Sequence, residues 1–166
     1  MLRKILRGLG FGLMGLTAVA ALLYLTRSNP IGPISGLALS GELVSRPPRD
    51  WSFTDEHMRI AVETRPAAPH SVTTICFTHQ GVLYVPAQGG SAKSWTHYAV
   101  SNPRARILVG DKIYPVHLTR VLDESEMPDR LAAASEKYDF NPSERDMPED
   151  LWLFRVDAGG PGVALP

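Results

Sequence analysis

Short, closely spaced β-runs dominate the middle of this chain and restrict what it can fold into. Between His70 and Asp123 the order is strand, tight turn, strand, a Gly-Gly-Ser-Ala-Lys-Ser-Trp loop, Asn-Pro, strand, a Gly-Asp hairpin, strand. Parallel neighbours need crossovers of a dozen or more residues. The turns at His79-Gln80-Gly81 and Gly110-Asp111 are far shorter, so a βαβ sheet fits poorly and antiparallel hairpins fit well. Alternating or β-branched runs predict strands over Met58–Thr64, Val72–Thr78, Val82–Val85, Arg106–Val109, Ile113–Leu122 and Trp152–Val156. Pro115 inside one of them argues for an edge or bulged position. Helices are expected at Ser94–Ser101, stopped by Asn102-Pro103, and from Pro128 to about Tyr138, stopped by Asn141-Pro142. Six strands and two short helices suit a small closed or half-open barrel, which removes exposed sheet edges.

Arg3, Lys4 and Arg7 precede an uncharged run from Gly8 to Thr26, closed by Arg27. At 1.5 Å per residue that run covers roughly 28 Å as a helix, about one hydrocarbon core. The expectation is a signal anchor or transmembrane helix over 1–27, with the basic side cytoplasmic and the rest extracytoplasmic, periplasmic in a bacterium. Ala18-Val19-Ala20 has the form of a cleavage site, but the apolar run continues past it, which suits an uncleaved anchor better. Gly8 and Gly12 could seat a second helix. Residues 28–50 are rich in Pro, Gly and Ser and read as a linker, although Ile34, Leu37 and Leu39 could pack on the barrel. The barrel domain is expected over 51–158, its core starting at Trp51 and Phe53, with 159–166 as a flexible tail.

The zero formal net charge hides a split: residues 1–27 carry four basic groups and no acidic ones, and residues 123–150 carry ten acidic and three basic. An acidic lobe of that size repels phosphodiester backbones, so nucleic acid is not an expected partner. Cys76 is the single cysteine and lies in an apolar strand, where a small core residue is the ordinary role. The five histidines show no zinc-ligand spacing. Asp146 and Glu149-Asp150 lie in a polar loop and do not make a convincing acid pair. No nucleophile elbow, P-loop or dinucleotide fingerprint occurs.

Lys93 is the leading candidate for chemistry. Gly89-Gly90-Ser91 can bring backbone N–H groups close to an anion, Ser91 and Ser94 add hydroxyl donors, and Lys93 adds a point charge. On the strand Val72–Thr78, alternation lets only one of Thr73 and Thr74 look into a cleft. His97, near Lys93 and Trp95, is the best placed histidine for a lone axial bond to haem.

The order of these runs, with Ser91-Ala92-Lys93, Trp95 and Asn102-Pro103, resembles the pyridoxamine-phosphate-oxidase-like and deazaflavin-dependent nitroreductase-like split barrels over about residues 58–125. The resemblance implies a mainly β fold, a six-stranded split β-barrel with two short helices, here preceded by one N-terminal transmembrane helix. It further implies a homodimer and FMN or a related flavin beside Lys93, Ser91, Ser94 and Trp95. Thr73 or Thr74 would meet the ring edge, and apolar Trp95, Tyr98 and Trp51 would suit the dimer interface. Where members of the family often place a phosphate-binding arginine, this chain has His70 or Ser71. The Arg-rich C-terminal substrate segment of the pyridoxamine-phosphate oxidases has no counterpart, which argues against oxidation of a vitamin B6 phosphate. The expected function is a membrane-anchored flavin-binding oxidoreductase of unknown substrate. The alternative is a non-catalytic barrel that binds a protein, a lipid-like ligand or haem at the membrane surface.

Overall fold

The computed structural model describes residues 14–19, 21–22, 28–141 and 148–158. Its strands are β1 (Glu42–Leu43), β2 (Ile60–Thr64), β3 (His70–Thr74), β4 (Phe77–His79), β5 (Val82–Gln88), β6 (Arg104–Val109), β7 (Lys112–Val121) and β8 (Leu151–Ala158). Helix α1 is Ser94–Ser101 and helix α2 is Met127–Tyr138. They form one sheet in the order β3-β2-β6-β7-β8-β5-β4, antiparallel throughout, with β1 added in parallel at the start of β7.

That order forces curvature. β3 and β4 are consecutive in sequence, yet they stand at opposite ends of the sheet. Only a sheet curled into a half-barrel lets Ile75-Cys76 bridge its two ends. The single run expected over Val72–Thr78 is therefore two strands: β3 pairs with β2, β4 pairs with β5, and Ile75-Cys76 is the corner between them. The β4–β5 turn carries positive φ at both Gln80 and Gly81, as a two-residue hairpin requires. Pro115 lies on β7, inside the sheet order, opposite Arg106 of β6. β1 pairs with β7 only as far as Ile113 and β8 only from Val116 onward, so the flank at Pro115 has no strand partner and its missing N–H costs no ladder bond.

The interior of the curl holds one core that includes Val62, Leu83, Val85, Ile107, Leu118 and Phe154. Trp95 and Ala99 of α1 plug one mouth, and Trp51 packs on Tyr114 elsewhere in the same core. Trp51 and Trp95 are thus core residues, 3% and 5% exposed, and not the rim aromatics expected at a dimer interface. The outer face has two covers. Helix α2 lays Ala134 and Met127 over Phe77, Tyr84 and Leu153. On the other side, residues 28–44 run along the sheet as a strap.

Leu39 is buried with Ala61 and Ile113, the Leu39 N–H donates to Glu63 at 2.6 Å, and Gly36 exchanges two backbone hydrogen bonds with Ser71. β2 is consequently buried along its whole length, not half-buried as its alternation suggests. Glu63, 3% exposed, is held by Arg106 at 2.6 and 2.8 Å. Ordered packing therefore begins well before Trp51.

Helical backbone is present at 14–19 and 21–22, but no helix among the described residues is long and apolar enough to cross a membrane. The structure thus gives no support to the expected anchor, and most of Gly8–Thr26 lies outside the described residues, as does the tail 159–166.

Candidate functional site

Where the half-barrel fails to close, β3 and the end of β5 leave a groove of about 1140 Å³. Its floor is Val72, Thr73 and Thr74 on one side and Pro86, Ala87 and Gln88 on the other. Lys93, Ser94 and Trp95 form one end, at the start of α1. The turn Gly32–Ser35 of the strap forms a wall, and Leu131, Ala134, Tyr138 and Phe140 form the opposite, apolar wall.

Six of the residues singled out from sequence converge here: His70, Thr73, Thr74, Lys93, Ser94 and Trp95. Thr73 and Thr74 both line the groove, because it runs along the edge of β3 and not over one face of it. Ser71 turns its N–H and C=O away from β2 to Gly36, so by strand alternation Thr73 also turns its backbone N–H and C=O outward. Neither group of Thr73 has a partner among the described residues. Thr74 Oγ1 donates weakly to the Pro86 carbonyl at 3.4 Å, tying the two sides of the split.

Lys93 is exposed, and among the described residues its ammonium has no hydrogen bond or ion pair. Among the described residues that line the groove it is the sole Lys, Arg, Asp or Glu. His70, at the same end, meets the Tyr98 ring edge-on at 5.7 Å, and Arg65 stacks on the same ring at 4.6 Å and donates to its hydroxyl. Burial, then the nearby Arg65 charge, hold the His70 imidazole below its ordinary pKa.

Two expected site residues are turned elsewhere. Ser91 gives both its N–H and its hydroxyl to Asp150 Oδ2, at 2.9 and 2.6 Å. His97 contacts the Ser91 carbonyl through Nε2 at 2.7 Å, lies edge-on to Trp152, and does not line the groove. No group of three or more His, Cys, Asp or Glu side chains suited to a metal is present among the described residues.

The sequence did not reveal Tyr138 or Phe140 as groove residues, since the approach of α2 to β4 is a tertiary fact. Tyr138 ends α2 by placing its hydroxyl between the Met58 and Cys76 carbonyls, at 3.0 and 2.7 Å, and within 3.1 Å of the Cys76 N–H. Burial pushes its pKa up to about 12, so it stays a donor. Cys76 is wholly buried, and burial raises its thiol pKa as well, as suits an inert core residue.

No family model matches the chain, and no curated protein matches it in sequence. Solved structures do match in fold. A conserved protein from Mycobacterium tuberculosis, Rv2991, superposes with a TM-score of 0.55 at 14% identity, covering 65% of this chain and 77% of its own. A protein from Bacteroides thetaiotaomicron assigned to 5-nitroimidazole antibiotic resistance superposes at 0.52 and 11% identity, covering 76% and 84%. One from Listeria innocua assigned as a pyridoxamine 5'-phosphate oxidase gives 0.49 at 17% identity, covering 64% and 87%. This chain has the split-barrel fold. At these identities the likeness speaks for the fold alone.

Proposed function

We propose that this protein is a split-barrel oxidoreductase that holds a flavin-type cofactor, FMN or a deazaflavin, in the groove between β3, β5 and the start of α1. The observation that carries the reading is a Lys93 ammonium unpartnered among the described residues, at one end of a groove whose floor offers the backbone N–H and C=O of Thr73, likewise without partners among them. A phosphate calls for a point charge and hydroxyl donors, which Lys93 and Ser94 supply. The edge of a flavin pyrimidine ring carries an N–H flanked by carbonyls, and the outward edge of Thr73 offers the complementary pair. The volume also suits a ligand larger than a metabolite fragment. Thus the residues present fit the group.

In this reading Lys93 and Ser94 hold the phosphate, Thr73 orients the ring edge, and Trp95 and Ala87 keep the floor dry. When bound, the flavin supplies the hydride chemistry. The split barrel would pair as a homodimer, and the apolar N-terminal run would tether it to a membrane with the barrel extracytoplasmic. Haem is the weaker cofactor reading, since His97 is turned from the groove. A second reading is a non-catalytic barrel that takes a lipid-like ligand; the apolar wall of Leu131, Ala134 and Phe140 favours it.

Titrating FMN into the wild type and Lys93→Ala, followed by flavin fluorescence, separates the two. Loss of one charge-assisted hydrogen bond, about 1.5–3 kcal/mol, weakens affinity by roughly 10- to 150-fold. Equal affinities, or no binding to either protein, would remove Lys93 from the site and shift the weight to the non-catalytic barrel.

A further inference from the structure

We infer that Asp150 is the positioning residue of this site: from the first rung beside β8 its carboxylate clamps the Gly89–Lys93 loop and so aims Lys93 into the groove. The inference rests on the reading of Lys93 as the anion contact.

The loop is held from outside the groove at Gly90 and Ser91. One carboxylate oxygen of Asp150 accepts both the Ser91 N–H at 2.9 Å and the Ser91 hydroxyl at 2.6 Å. The Asp150 carbonyl accepts the Gly90 N–H at 3.0 Å, which continues the β5–β8 ladder one step past Gln88–Leu151. Thr96 Oγ1 donates to the Gly90 carbonyl at 2.6 Å, and His97 contacts the Ser91 carbonyl. Gly90 lies flat on Trp152, so close that any Cβ there would overlap the indole. Lys93 follows two residues after Ser91, and among the described residues its ammonium is left without a partner. Ser91 therefore anchors the loop and does not donate to a ligand.

Charge makes the role testable by sign. A carboxylate near an anion site disfavours the anion by simple Coulomb repulsion. Removing it should tighten anion binding if Asp150 acts only through its charge, and weaken binding if it acts through the geometry of Lys93.

The test is a double-mutant cycle on the full-length protein, read by FMN fluorescence, with Asp150→Ala, Asp150→Asn and Lys93→Ala. Asp150→Ala should weaken FMN binding by roughly tenfold when Lys93 is present and by less than about twofold in the Lys93→Ala background. Asp150→Asn keeps the shape and a neutral acceptor, so it should fall between and guards against misfolding of the alanine variant. Hydrogen exchange of a peptide covering residues 89–94, measured without FMN, should be slow in wild type and faster in Asp150→Ala. An unchanged or tighter FMN affinity, an effect equal in both Lys93 backgrounds, or unchanged exchange would overturn the clamp. If wild type bound no FMN, the cofactor reading would fall, and the exchange of residues 89–94 alone would decide the clamp.

Discussion

At the scale of single residues, much of the groove could be read from the sequence. Lys93 and Ser94 were legible as groove residues because hydroxyls and a point charge after a glycine pair have few other uses. The relation of Thr73 to Thr74 was misjudged, since alternation says which face a side chain takes but not whether a cleft lies over a face or along an edge. Ser91 was misjudged for a different reason. Its partner Asp150 is 59 residues away, and no local pattern joins them. His70 offers a prediction at this scale. Burial and Arg65 lower its pKa in the folded state, whereas the unfolded chain keeps the ordinary value near 6.5. Below about that pH the unfolded state binds more protons, so His70 makes stability fall as pH drops through 6.5 and level off below the folded pKa. His70→Asn should remove this contribution. Melting temperatures between pH 8 and 5 should therefore decline less steeply in the variant; parallel declines would mean that His70 is as solvated in the folded chain as in the unfolded one.

Elements were legible where a strand is flanked by its own hairpin. β5, β6, β7 and β8 all fall where the alternation places them, with β5, β6 and β8 longer by two or three residues and β7 shifted by one. The corner at Ile75-Cys76 was hidden, because an unbroken β-rich run looks the same whether it serves one sheet end or two. The strap was only half visible. Ile34, Leu37 and Leu39 hinted at packing, yet Ile34 and Leu37 stay exposed and Leu39 alone is buried. Its hold on the barrel runs through Glu63, which looks like an outward polar residue and is instead a buried partner to Arg106 and to the Leu39 N–H. Removing one member of a buried pair leaves the other charge unpaired, at a cost of about 3–5 kcal/mol. Glu63→Ala should lose about that much in urea unfolding and speed amide exchange around Leu39. Glu63→Gln, which keeps an acceptor for the Leu39 N–H, should slow that exchange again. A stability change under about 1 kcal/mol would mean the pair is open to water and screened.

For the whole molecule, the strap changes how the barrel would meet a membrane. The Ser28 carbonyl already accepts a hydrogen bond from the Leu37 N–H, and Asn29 exchanges two with Ser40. The strap is thus hydrogen-bonded to its neighbours from Ser28 onward, one residue after the Arg27 that closes the uncharged run. From Ser28 to Gly32, at the wall of the groove, the chain can reach at most about 14 Å. If the run is embedded in a bilayer, the groove lies at the lipid surface and not at the end of a long tether. The expected outcome is that the full-length protein sediments with membranes and stays there in high salt, since salt weakens electrostatic attachment but not burial of an apolar helix. A chain beginning at Ser28 should be released and keep its melting temperature. One beginning at Leu43 should be released too, but melt lower, because it lacks Leu39 and the strap contacts to Glu63 and Ser71. Protease added from the extracytoplasmic side should cut the barrel. Release of the full-length protein by salt alone would refute the embedded run. Protection of the barrel from that protease would reverse its orientation.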